Sequence, residues 1–287
     1  MSNRNQAEFF FKRAETIYGK GEYQKAIEFY DRVIDLCNLE TIIRNEFLGN
    51  SLLQRAFSYW HINSYQQAIE DCDQIIAFAP NNPYAWAVRG LSYAGLGDKD
   101  EAAEDLSTAS EIEPDDVWIL KQIINFYSAD HHYSSALPYA EHLHEIRPTH
   151  LEYALTLGKI YLRAGKTDKS LEIYLYTSGL VGYGPYQTSQ ELRGKEDLWV
   201  NGGLGAAYRR KKELETALSY LDVACPDYCD IGWIWAERGY VYDAQGKYTE
   251  ALSDFKKALS LDNSMVNVKF AIARCQMQID KGSVGTV

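Results

Sequence analysis

One spacing constrains this chain more than any other property. A small residue stands at Ala26, Ala68, Ala102, Ala136, Ser170, Ala217 and Ala251, with gaps of 42, 34, 34, 34, 47 and 34. The two exceptions are 34 plus 8 and 34 plus 13. A fixed period of this size means short units that cannot bury their apolar faces alone and do so by stacking on neighbours. The clearest unit runs from Gly232 to Met265. There Trp235, Gly239, Tyr242, Gly246, Tyr248, Ala251, Phe255 and Ala258 alternate large and small at helical spacing. The stretch reads as two amphipathic helices joined by a tight turn.

With this ruler, units fall at about 7–40, 49–82, 83–116, 117–150, 151–184, 198–231 and 232–265, after a lead-in at 1–6. Gly90, Ala102 and Ala109 are small where paired helices must approach closely. Gly97 and Gly246 can take positive φ and end a first helix. Pro80, Pro114 and Pro148 stop a second helix. An insertion at 41–48 is expected to lengthen the start of the helix that follows. A second, at 185–197, follows the turn-forming run Gly182-Tyr183-Gly184-Pro185 and reads as a surface loop, or as a lid beside a groove. Val268, Ala271, Ile272, Cys275 and Ile279 share one helical face, which places a solvating cap helix at 266–281 and a flexible tail at 282–287.

The order of these residues resembles the tetratricopeptide repeat. The expected fold is all-α, a right-handed superhelical solenoid of seven helix-turn-helix repeats plus a C-terminal cap helix. The resemblance implies that the first helices line a concave groove. Carried onto this sequence, the family's groove positions fall on Phe57, Trp60 and Tyr84, then on Trp118, Lys121, Asn125, Lys159, Arg163, Trp199, Arg209 and Arg210, and finally on Trp233 and Tyr240. This gives an aromatic first half and a basic, tryptophan-bearing middle. Chaperone-binding members of the family carry a carboxylate clamp over three successive repeats. From the first repeat its positions hold Phe11, Glu15, Gln54, Tyr84 and Val88. From the fourth, Lys121 and Asn125 match but Thr156, Trp199 and Gly203 do not. A chaperone C-terminus is therefore not the expected partner.

Composition narrows the function classes. Hydrophobic residues make up 46% of the 287, enough for a buried core. The net charge of −11 disfavours nucleic acid and anionic membrane surfaces as partners. No run approaches the roughly 18 apolar residues of a membrane span, and the N-terminal stretch lacks the apolar core of a signal peptide. Five scattered cysteines suit a reducing, cytoplasmic location.

No catalytic constellation emerges: there is no Gly-rich phosphate loop ahead of a helix, no G-x-S-x-G and no H-E-x-x-H. His131, His132, His142, His144 and His150 lack the i,i+4 pairing of a helical metal site and read as solvated. Cys225 and Cys229 read as partly buried thiols, and Arg209-Arg210-Lys211-Lys212 as a solvated turn or a weak anion site. No enzyme activity, cofactor or metal is expected. The expected function is an adaptor or scaffold that binds an extended or helical peptide segment of another protein, with apolar and acidic features, in the groove. The alternatives are a self-associating scaffold that forms a homodimer through its aromatic face, and a regulatory subunit whose groove is gated by 185–197.

Overall fold

The computed structural model describes residues 2–181 and 195–284. They form 15 α-helices, with no strand among the described residues. The chain divides into two compact units, one ending at Asp130 and the other beginning at His131. The first holds α1 (Asn3–Tyr18), α2 (Tyr23–Leu39), α3 (Thr41–His61), α4 (Tyr65–Phe78), α5 (Pro83–Leu96), α6 (Lys99–Ile112) and α7 (Val117–Ala129). The second holds α8 (Tyr133–Ile146), α9 (Leu151–Arg163), α10 (Thr167–Val181), α11 (Lys195–Arg210), α12 (Leu214–Ala224), α13 (Gly232–Ala244), α14 (Tyr248–Leu261) and α15 (Val266–Val284). Within each unit consecutive helices pack on one another, and alternate ones also touch: α1, α3, α5 and α7 in the first, α9, α11 and α13 in the second. Alternate helices thus form a continuous layer.

Turn chemistry explains the pairing. The described residues with left-handed φ are Gly21, Asn63, Gly97, His131, Gly165, Lys212 and Gly246. Their gaps are 42, 34, 34, 34, 47 and 34, the same series as the small residues. Each sits in the turn between two helices of a pair, where a left-handed residue closes the first helix and frees the chain to reverse. Glycine accepts that conformation without strain, whereas Asn63, His131 and Lys212 hold it against their side chains. Starts are specified as well. The Asn82 side chain accepts from the Tyr84 and Ala85 amides with Pro83 in the first turn, and Asp116 accepts from the Ile119 amide.

The small residues are the floor of each helix pair. Ala26, Ala68, Ala102, Ala136, Ala217 and Ala251 are fully buried. Ser170, the one polar member, is buried too, and its hydroxyl donates to the Gly158 carbonyl at 2.8 Å. A buried hydroxyl so partnered avoids the desolvation cost of an unpaired one.

A second periodic device ties the layers together. Arg55, Arg89 and Arg238 each grip an aspartate 16 residues on, with both Nε and Nη2 donating to Asp71, Asp105 and Asp254 at 2.6–2.9 Å. Each also reaches back through Nη1 to an aspartate of the preceding helix pair: Asp31, Asp73 and Asp222. The backward separation is 16 residues for Arg89 and Arg238 and 24 for Arg55, the difference being the eight residues of 41–48. Those eight residues are the first turns of α3, a 21-residue helix.

Several boundaries differ from the sequence reading. Helix α1 begins at Asn3, inside the stretch read as a lead-in. Of the insertion at 185–197, residues 185–194 lie outside the described residues, and 195–197 are the first turn of α11, with Asp197 buried. Helix α15 runs to Val284, past the expected start of the tail; 285–287 lie outside the described residues. Its inner face buries Val268, Ala271 and Cys275, but its outer face is not simply polar: Val266, Phe270 and Met277 are 57%, 71% and 58% exposed.

Candidate functional site

Helix α9 gives the site its frame. Glu152, Leu155, Thr156, Lys159 and Arg163 recur at steps of three and four residues, so one face of the helix carries them all. That face borders a concavity of about 980 Å³ within the second unit. Trp199 and Arg210 of α11 and Trp233 and Glu237 of α13 complete its lining, with Tyr174 of α10 at its base. Leu151, Leu155, Leu162 and Met265 add apolar surface.

Two glycines make the base possible. A Cβ on Gly203 would lie 2.3 Å from the Tyr174 ring, and one on Gly158 would lie 2.9 Å from it. The ring occupies the volume that side chains on α9 and α11 would otherwise fill. Burial raises the pKa of its hydroxyl far above the ordinary tyrosine value, while the charges of Arg163 and Arg210 pull it down. Tyr174 therefore stays neutral beneath the two guanidinium groups.

Three cations face this space. Lys159 and Arg163 stand one helical turn apart, and neither has an ion-pair partner among the described residues. Arg210 donates through Nη1 to the Leu162 carbonyl at 2.9 Å, which pins its guanidinium beside the residue preceding Arg163. Burial in the concavity lowers the Lys159 pKa below its ordinary value, and the charge of Arg163 adds to the effect. Burial also lowers that of Arg210; Glu237 opposes this, and Arg209 and Arg163 reinforce it. Trp199 and Trp233 stack obliquely at 5.5 Å, and the Trp233 indole N–H is buried with no protein acceptor among the described residues. The site therefore offers an apolar wall and an excess of donors.

The structure brings five of the sequence-predicted residues into this one concavity: Lys159, Arg163, Trp199, Arg210 and Trp233. Arg209 and Tyr240 are placed differently. Arg209 is held by Glu237, Nε to Oε2 at 2.6 Å, with its guanidinium 5.3 Å from the Tyr240 ring. The basic run at 209–212 is thus not a uniformly solvated turn: Arg209 and Arg210 are half-buried, and Lys211 pairs with Asp168 at 2.9 Å. His144 and His150 also depart from the solvated reading, being half-buried with Nδ1 enclosed; His150 stacks on Tyr153 at 3.9 Å. Cys225 and Cys229 are buried rather than partly so.

The predicted residues of the first unit form a separate cluster. Phe57 meets Trp118 edge-on at 5.4 Å, and Tyr84 lies 6.0 Å from the same indole. The Tyr84 hydroxyl donates to Asp116 at 2.7 Å. Phe57, Trp60 and Trp118 are partly buried against Ala56, Cys72 and Val88, so much of their surface goes to packing between repeats. Lys121 is half-buried and Asn125 exposed on α7. Sequence reasoning missed Tyr174, Leu162 and Glu237 as site components, and only the glycines at 158 and 203 hinted at the first.

Comparison with known proteins gives a consistent picture. Family descriptions of the tetratricopeptide repeat match residues 56–120 and 232–264. A curated relative, Translocon at the outer membrane of chloroplasts 64 from Pisum sativum, is 35% identical over 115 residues, 40% of this chain. That match spans only 18% of the relative's own length. A tetratricopeptide repeat protein from Parabacteroides merdae superposes with a TM-score of 0.62 at 17% identity, over 95% of this chain and 99% of that one. The APC/C hetero-tetramer Cut9–Hcn1 gives a TM-score of 0.53 at 14% identity, over 93% of this chain and 55% of that one.

Proposed function

From the premise that this chain is a tetratricopeptide-repeat protein, we propose that it is a non-catalytic adaptor or scaffold whose second unit holds a peptide segment of a protein partner. The segment is extended or helical, with apolar side chains against Trp199, Trp233 and Leu155 and an anionic group against Lys159, Arg163 and Arg210. One observation carries the reading: three cations and two tryptophans from three helices face one concavity of about 980 Å³, and Lys159 and Arg163 have no ion pair among the described residues. Charges left exposed to a ligand gain bidentate, charge-assisted hydrogen bonds when it arrives. The hetero-tetrameric assembly of the Cut9 relative is in keeping with a protein partner. A chaperone C-terminus is not the proposed partner, because the clamp residues are not those found here. The free, buried thiols suit a reducing, cytoplasmic setting, and no helix among the described residues is long and apolar enough to cross a membrane.

Peptide-library selection on the purified protein tests this. Wild-type protein should enrich sequences that combine an aromatic or aliphatic residue with a negative group. The Lys159→Gln/Arg163→Gln variant should lose the negative preference and keep the apolar one. Identical selections by both proteins would overturn the reading.

A second reading is favoured by the exposed stripe Val266, Phe270 and Met277 on α15, which suits a homodimer formed through that helix. Light scattering across concentration should then show a dimer that Phe270→Glu dissociates.

A further inference from the structure

We propose that the anionic anchor of the partner segment is a phosphoryl dianion, a phosphoserine or phosphothreonine, rather than a lone carboxylate; this rests on the reading of the concavity as a peptide site. The argument is one of charge count and donor geometry. Arg210 is drawn by its hydrogen bond to the Leu162 carbonyl against the turn of α9 that carries Arg163, and Lys159 sits one turn back on the same face. Three positive groups are thus held together beside a neutral, buried tyrosine. Like charges so placed repel one another, and this adds to burial, the larger cause, in making Lys159 and Arg210 bind their protons less firmly than usual. A carboxylate brings one charge and two oxygens, and would leave most of that repulsion standing. A phosphoryl group brings about −1.5 to −2 charges and three strong acceptor oxygens. Two planar arginine forks and one point-charge lysine match that set of acceptors.

The acidic residues of the lining argue in the same direction. Glu237 is committed to Arg209 at 2.6 Å. The Asp262 carboxylate accepts from the Ser264 amide at 2.9 Å and from its hydroxyl at 2.6 Å. Glu152 lies seven residues before Lys159 on α9, about 10 Å along the helix axis. With these three carboxylates in the lining, only negative charge concentrated at Lys159, Arg163 and Arg210 is met by cations. They leave one compact patch for concentrated negative charge, flanked by the apolar surfaces of Leu155, Trp199, Trp233 and Met265.

The test uses the intact chain on arrays of C-terminally amidated nonapeptides with degenerate flanks and a central serine, phosphoserine or glutamate, beside a serine array with free C-termini. The phosphoserine array should bind at least tenfold more strongly than the other three, and Arg163→Gln and Lys159→Gln should each reduce that preference several-fold. Circular dichroism and melting checks that each variant keeps its helices, and Arg163→Lys should retain part of the preference if the variant to glutamine unfolds. Equal binding of the phosphoserine and glutamate arrays, or stronger binding to free C-termini, would overturn the dianion while leaving the peptide site standing. A phosphoserine preference undiminished in folded variants would also overturn it. Failure of all four arrays to bind would overturn both the dianion and the peptide site.

Discussion

Arg55, Arg89 and Arg238 make the same two contacts in different repeats, and their absence elsewhere is informative. In the two repeats that supply α9 and α11 to the concavity, the positions equivalent to Arg89 and Asp105 hold Leu157 and Ile173, and Leu204 and Tyr220. The protein thus uses an ion pair and an apolar pair in one structural slot. A nearly buried carboxylate that loses its partner is costly, whereas an apolar pair of similar volume can replace both. Arg89→Leu alone, which strands the nearly buried Asp105 carboxylate, should therefore cost about 3–5 kcal/mol in urea unfolding, and Arg89→Leu/Asp105→Ile should recover most of it. Lys212 holds a left-handed φ of 65° that glycine would adopt without strain. Lys212→Gly should raise the free energy of unfolding measured in urea by about 1 kcal/mol at most. Lys159 carries a pH signature. Its folded-state pKa lies below the ordinary 10.5, so between the two values the unfolded chain binds more protons and stability rises with pH. Lys159→Met should flatten that rise in unfolding curves taken at successive pH values below 10.5.

At the scale of elements, the concavity depends on α9, α10 and α11 fitting closely around Tyr174. A Cβ on Gly203 would meet that ring at 2.3 Å. Gly203→Ala should cost about 1–3 kcal/mol and alter the near-ultraviolet circular dichroism of the aromatic cluster. The elements themselves were largely legible, because helix pairing follows a small residue and a left-handed turn residue that keep one period. The period survived even where Asn63, His131 and Lys212 replace glycine, since the buried alanines on either side remain. That Lys159, Arg163, Trp199 and Trp233 line one concavity was legible because position within a repeat decides which layer a side chain enters. What the period could not convey was side-chain partnership. Arg209 is neutralised by a glutamate 28 residues away, and Arg210 is pinned by a carbonyl 48 residues away. The exposed Phe270 and Met277 of α15 were hidden for the same reason: a consistent inner face says nothing about the outer one.

For the whole molecule, the contrast is between an acidic chain and a cluster of three cations within one of its concavities. The net charge is −11, yet Lys159, Arg163 and Arg210 are gathered in one concavity of the second unit. The chain as a whole carries net negative charge and repels an anion on average, whereas these three cations attract it locally. Binding should weaken with added salt, because Lys159 and Arg163 are exposed to solvent. In the aromatic cluster of the first unit, by contrast, Phe57, Trp60 and Trp118 are tied into packing. The proposed recognition surface is therefore the concavity of the second unit. The most direct measurement is binding of library-selected peptides, by calorimetry, to wild type, Lys159→Gln/Arg163→Gln and Phe57→Ala/Trp118→Ala. The charge variant should lose at least tenfold in affinity, while the aromatic variant, where it remains folded, should stay within about twofold of wild type. Unchanged affinity in the charge variant, with loss in the folded aromatic variant, would contradict the proposal.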